Sequence, residues 1–143
     1  MKRRKALRGR KRLRPASDKQ KALRGAQADA QKALAHSWWE AVAKNRPCAV
    51  CGRPDRVQGH HVLSQQVLRR HARRFGYDVL VLLWDPRNGI PVCEPDHAAH
   101  TSAKRRIPLD VIPASAFEFA DEIGLRWQVE RDYPALDKAQ DRR

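Results

Sequence analysis

The sequence predicts an α+β fold: a short antiparallel hairpin and a helix stapled by zinc, flanked by further helices. Three observations predict it. Cys48 and Cys51 form a C-x2-C pair in "CAVCG", and Cys93 opens a second half, "CEPDHAAH"; thiols at this spacing hold zinc in a knuckle, usually against a second C-x2-C. Short stretches beside the two halves, "VQGHHV" and "IPVC", read as extended chain bounded by turn residues. Between and around them lie segments with helical periodicity and recognisable end signals.

Residues 1–16, "MKRRKALRGRKRLRPA", are a basic arm, disordered or partly helical. Residues 17–45 read as a helical segment packing on the core. Ser17 followed by Gln20 is a capping-box pattern, and the segment is rich in Ala, Lys, Gln and Leu. Gly25 weakens this helix and allows two pieces. Leu34, Trp38 and Ala41 recur at helical spacing and are the expected docking face. Residues 46–106 are the predicted core. "RPCAVCGRPD" is a knuckle loop, "VQGHHV" a short strand, and "SQQVLRRHARRFG" a helix ended by Gly76. The apolar run "YDVLVLLWDP" breaks at "DPRNG", a turn that leads into "IPVC". Asp96 can cap a helix that starts near His97 and runs through "AAHTSAKRR". Residues 107–143 are a C-terminal helical segment and tail: "PASAFEFADEIGL" is capped around Ser115 and stopped by Gly124, and "DKAQDRR" is frayed.

Composition narrows the function. The longest apolar run, Val79 to Trp84, is far short of a membrane span, and the basic start leads into no apolar signal region. Three cysteines in such a chain suit the cytoplasm, where thiols more often bind metal than pair. With 6% aromatics and a mean hydropathy of −0.76, the core is small, and a structural metal would help hold it. The net charge of +14 is mostly a tail: residues 1–24 carry twelve Lys/Arg and one Asp, a net of +11. Such an arm releases counterions on meeting nucleic acid and gives salt-sensitive, sequence-independent affinity. A solvated extension is the blander alternative.

The chemistry-bearing residues occur in the order Cys48-x2-Cys51, His60-His61, Asn88, Cys93-x2-Asp96, His97, His100. Adjacent residues on a strand point to opposite sides, so one histidine of the pair can bind a metal while its neighbour acts as a base. The fourth zinc ligand stays open between three readings. Asp96 occupies the position of the missing cysteine, His100 is its rival, and Asp96 can instead only cap the helix. His100 lies one turn beyond His97 and can also share its metal.

This order resembles the HNH endonuclease family, whose active-site fold is the ββα-metal motif. The likeness rests on "GHHV" for the first histidines, "DPRNG" for the Asn and "CEPDHAAH" for the final His. The enclosing cysteine pattern is similar to the zinc-bearing HNH proteins common in phage genomes. The resemblance covers roughly Arg46 to Arg105, under half the chain. Its specificity lies in all the elements occurring in order, with nine residues from Asn88 to His97.

The resemblance implies a structural Zn²⁺ on Cys48, Cys51 and Cys93, with the fourth position open between Asp96 and His100. It implies a catalytic Mg²⁺, or an ion such as Mn²⁺ or Ni²⁺, on His60 and His97. His61 becomes the general base, and Asn88 fixes the loop and orients that base. Colicin-type members use three histidines with the last pair four apart; here His97 and His100 are three apart. The implied partner is double-stranded DNA in a host cytoplasm, with phage packaging or recombination proteins as family context. The residues support the chemistry independently. Imidazole titrates near neutrality, which suits a base, and a divalent ion neutralises phosphate charge.

Arg69, Arg70, Arg73 and Arg74 form a basic face that can track phosphates or be merely solvated. Arg87, beside Asn88, is either a phosphate contact or a turn-stabilising arginine. His36 and His71 read as helix-surface residues, and the four tryptophans as core. The rival class is a zinc-knuckle DNA- or RNA-binding protein that does not cut, in which His61 and Asn88 are structural.

Overall fold

The computed structural model of the chain describes residues 17–135, so the basic arm 1–16 and the tail "DKAQDRR" lie outside the described residues. Within them the fold is α+β, with six α-helices and one two-stranded antiparallel sheet.

Helix α1 spans Asp18–Val42 and runs unbroken through Gly25. Its start is the expected capping box: Ser17 Oγ accepts from the Gln20 N–H at 3.3 Å, and Gln20 Oε1 accepts from the Ser17 N–H at 3.1 Å. The docking face differs from the expected one. Trp38 and Val42 are buried with Ala35 half-buried beside them, whereas Leu34 and Ala41 are exposed. The reason is the surface beneath. Strand β1 (Val57–His61) and strand β2 (Gly89–Cys93) pair from Val57↔Cys93 to His61↔Gly89, and each carries a glycine under the helix. A Cβ on Gly59 would clash with the Trp38 ring, and one on Gly89 would meet Val42 at 2.5 Å and Trp38 at 2.7 Å. Trp38 sinks into this gap, and the helix is thereby rotated so that Val42, not Ala41, follows it inward.

The strands are joined through residues 62–88. This insertion holds helix α2 (Gln65–Phe75), helix α3 (Val79–Leu83) and a 3-10 turn at Pro86–Asn88. Ser64 Oγ caps α2 by accepting from the Val67 N–H, and Gly76 ends it at φ +76°, a left-handed conformation open to glycine. The apolar run becomes α3, capped by Asp78 and burying Leu82 and Leu83.

Helix α4 (Glu94–Thr101) begins earlier than expected, directly after Cys93. Asp96 therefore sits inside its first turn and does not cap it. It also ends sooner: Ser102 Oγ bonds back to the Ala98 oxygen at 2.8 Å, and Ala103 turns to φ +56°. Helix α5 (Ala114–Glu122) has Pro113 at its N-cap, so Ser115 lies within the helix, and Gly124 follows its end at φ +71°. A last helix, α6 (Arg126–Asp132), carried no clear signal in the sequence. One apolar core joins Leu63, Leu68, Leu83, Val92, Phe119 and Val129, so the C-terminal helices share the core of residues 46–106. Among the described residues no helix is long and apolar enough to cross a membrane.

Candidate metal centre and histidine cleft

The knuckle loop turns through Gly52 at φ +73° and is tied to β2 by the Ala49 N–H donating to the Pro91 oxygen at 2.8 Å. That tie brings Cys48 and Cys51 against the end of β2, where Cys93 and Asp96 wait. Cys48, Cys51, Cys93 and Asp96 each offer a ligand atom, and all four atoms lie within 4.8 Å of one another. The thiols of Cys48 and Cys93 point at Asp96 Oδ2, at 3.4 and 3.2 Å, and the Cys51 and Cys93 sulfurs are 3.5 Å apart. A tetrahedral ion with bonds of about 2.0–2.3 Å needs ligand separations of about 3.5–3.8 Å, so the cluster is close to the required size.

The four groups also shape one another's protonation. Burial, with the neighbouring thiols and carboxyl adding to it, pushes the Cys93 thiol up to about 12. Burial works to raise the Asp96 carboxyl too, but hydrogen bonds from the three thiols and the Arg105 charge bring it below its ordinary value. Asp96 Oδ1 is held by the Arg105 guanidinium, so one oxygen faces the sulfurs and the other is anchored from outside. The early end of α4 makes this possible, because the chain doubles back and returns Arg105 to the helix start.

The second feature is a cleft of about 510 Å³ between α1, β1 and α4, lined by Trp38, His60, His61, Trp84 and His97 among others. The His60 ring stands edge-on to those of His97 and His100, with ring centres 5.1 Å away in both cases. His60 is buried, and burial followed by the charges of the neighbouring histidines pushes it down to about 3, so it is neutral near pH 7.

Hydrogen bonds fix which nitrogen of each ring carries the proton. The Tyr133 hydroxyl lies 2.9 Å from the Val62 oxygen and 2.8 Å from His60 Nε2. A phenol has one proton and a carbonyl can only accept, so Tyr133 donates to Val62 and His60 Nε2–H donates to Tyr133. His60 Nδ1 is left with its lone pair.

The same logic applies to His61. Its Nε2 is 3.0 Å from the Leu83 oxygen and must donate, which leaves Nδ1 as a bare base. Burial lowers the His61 pKa, opposed by that hydrogen bond, and the ring is stacked on Trp38 at 4.0 Å and 11°. Asn88 is buried behind this pair. Its Oδ1 accepts from the Leu63 N–H at 2.7 Å and its Nδ2 donates to the Leu63 oxygen at 3.0 Å, pinning the chain two residues after His61.

His100 departs from its expected roles. Its Nδ1 accepts the Ile107 N–H at 3.0 Å, so the neutral ring carries its proton on Nε2 and has no lone pair to offer an ion. It stacks on Tyr133 at 5.2 Å and stands outside the Cys–Asp group. Arg87 bonds Asp85 at 2.9 Å and Glu122 at 2.6 Å, tying the 3-10 turn to α5 as a turn-stabilising arginine would. Arg69, Arg70, Arg73 and Arg74 line a shallow depression on α2 and pair with no carboxylate of the described residues. Trp38 is core, as expected, but Trp127 is more than half exposed, and His71 is half-buried against Tyr77.

Fold and site together define a small α+β domain with a Cys3Asp group able to hold a metal ion, beside a histidine-lined cleft. No protein-family model, no curated protein and no solved structure matches the chain.

Proposed function

We propose that the protein is a divalent-metal-dependent endonuclease of the HNH type, hydrolysing DNA phosphodiester bonds by nicking or weakly specific cleavage. The observation that carries this reading is the pair of histidines on β1, each with a bare Nδ1 and each held by a different partner, lining one cleft with His97. Two adjacent imidazoles fixed in this way can divide the labour of hydrolysis. His60 and His97 are the residues that would hold a catalytic ion, because no hydrogen bond among the described residues occupies His60 Nδ1 or the His97 ring. When bound, such an ion supplies charge neutralisation at the phosphate and at the leaving oxygen.

The chain's own residues do the rest. His61 Nδ1 takes a proton from the attacking water as its oxygen bonds to phosphorus, the phosphorus–oxygen bond to the leaving strand end breaks, and the leaving oxygen takes up a proton from solvent. Leu83 and Trp38 hold that ring in place, and Asn88 holds the backbone behind it. Cys48, Cys51, Cys93 and Asp96 would hold a structural Zn²⁺ that pins the knuckle to β2 and α4, and their spacing and donor types fit that ion.

The test is incubation of supercoiled plasmid with zinc-loaded protein in Mg²⁺, Mn²⁺ or Ni²⁺. Relaxed or linear product from the wild type, absent from folded His61→Ala, is the expected result. Intact plasmid in every ion would overturn the reading. One observation favours the rival, a zinc-knuckle binding protein that does not cut: among the described residues, the cysteine cluster is the group whose ligand atoms already converge. In that case His61→Ala would handle DNA as the wild type does and no variant would differ in cleavage.

A further inference from the structure

Away from the histidine cleft, the C-terminal end of α2 and helix α6 enclose a groove of about 740 Å³. Three aromatic rings open onto it although apolar side chains ordinarily turn inward: Phe75 is 59% exposed, Tyr77 45% and Trp127 56%. Exposed rings of this size, gathered in one place, mark a binding surface. They are also held in position. The Tyr77 ring is stacked on His71 at 5.5 Å and 15°, the Arg74 guanidinium lies over Phe75 at 5.3 Å, and Arg131 lies over Trp127 at 5.4 Å.

The charge at this groove selects one kind of partner. Arg70 and Arg74 line both the groove and the adjoining depression formed with Arg69 and Arg73. None of these four arginines is paired with a carboxylate among the described residues. The two acidic residues at the groove are already neutralised, Asp121 by Arg126 at 2.8 Å and Glu122 by Arg87 at 2.6 Å. A surface of unpaired guanidinium groups beside ring faces fits a polyanion that itself carries flat rings.

We propose that this groove binds a single-stranded nucleic acid, stacking unpaired bases on Tyr77 and Trp127 while Arg69, Arg70, Arg73 and Arg74 track the backbone. Duplex DNA does not fit the aromatic part, because its base faces are already stacked inside the helix. Unpaired bases present those faces to any ring, which makes such stacking strong and tolerant of sequence. Helix α2 connects the groove to the cleft: Ser64 and Gln65 at its start line the histidine cleft, and Arg74 and Phe75 at its end line the groove. Eleven residues of helix span about 16 Å. A strand held in the groove can therefore run along α2 toward the histidines. The binding role does not depend on cleavage and would hold for a protein that only binds.

The experiment must separate stacking from charge, since the basic arm attracts any polyanion. Full-length, zinc-loaded protein is titrated into two labelled oligomers of equal length and charge, about 12 nucleotides of dT and its abasic counterpart, and binding is read by fluorescence anisotropy. The arm contributes equally to both, so the ratio of the two affinities reports base stacking alone. The wild type is expected to prefer dT by about tenfold or more, and Trp127→Ala and Tyr77→Ala are each expected to cut that preference about 5-fold or more. Both side chains are exposed, and unchanged melting temperatures would verify the fold. Arg70→Ala with Arg74→Ala is expected to weaken both oligomers and to reduce the salt dependence of log K by about 1.4. Equal binding of dT and abasic oligomer by the wild type would overturn the proposal. So would a dT preference that survives in both aromatic variants, or a groove that takes up a peptide partner and ignores dT.

Discussion

Tyr133 is the residue whose single proton sets the state of the histidine cleft. By donating to the Val62 oxygen it obliges His60 to donate from Nε2, and so leaves the lone pair on His60 Nδ1. Tyr133→Phe removes that acceptor while keeping the ring that stacks on His100. It leaves the His60 N–H and the Val62 oxygen buried without partners, a cost of about 1–3 kcal/mol of stability. It also frees His60 to change tautomer, and partners of this kind typically govern metal affinity by about 10–100-fold. Mn²⁺ titration by calorimetry and urea denaturation would check both, and affinity equal to the wild type would show that Tyr133 does not govern the ligand. Nothing in "RDYP" signalled this, because the contact joins residues far apart in sequence and no spacing rule reaches across them. Asp96 was readable for the opposite reason. It stands three residues after Cys93, where one helical turn returns its carboxylate to the sulfur.

At the scale of elements, the docking of α1 decides how the hairpin presents its histidines. Trp38 enters the gap above Gly59, stacks on His61 and donates from Nε1 to the Asp85 oxygen at 3.0 Å, joining helix, strand and turn. Gly59→Val is therefore expected to push the indole out, to cost about 1–3 kcal/mol from overpacking and to change the near-ultraviolet dichroism of Trp38. Gly25→Ala is the contrast. A Cβ there meets nothing within 4 Å on a continuous helix, so it should add about 0.5–1 kcal/mol. Equal effects from the two substitutions would contradict this account of α1. The start of α1 was legible because its cap is local chemistry. Its buried face was not, because an Ala-rich helix offers several candidate stripes and the glycines of a distant sheet choose among them. Helix α6 was obscured similarly: "RWQVERD" carries no apolar stripe, and it buries Gln128 and Val129 through its tertiary contacts.

Across the whole molecule, metal and charge are divided between different regions. Cys48 and Cys93 belong to the same apolar cluster as Leu63 and Val92, so an ion on the cysteine group would brace the core directly. Chelation is expected to lower the melting temperature by about 10 °C or more, and Asp96→Ala to weaken zinc retention, while Asp96→Cys, which restores a fourth thiolate, should keep the ion. Metal analysis after gel filtration together with calorimetry would check this, and a melting temperature indifferent to chelator would contradict it. The sequence made the centre of the fold legible, since turns, cysteines and a His pair announce themselves locally. It left obscure where the C-terminal segment packs: Phe119, Val129 and Tyr133 close the core over the histidines through non-local contacts.

Whether His61 acts as a base in phosphodiester hydrolysis is read most directly from the single-turnover cleavage rate of labelled duplex DNA. Wild type and His61→Ala are compared at saturating Mg²⁺ or Mn²⁺, with DNA affinity measured on the same samples. The expected result is a rate lower by about 10²–10⁴-fold in the variant at an unchanged Kd. Equal rates in the two proteins, or no cleavage by the wild type, would contradict that role.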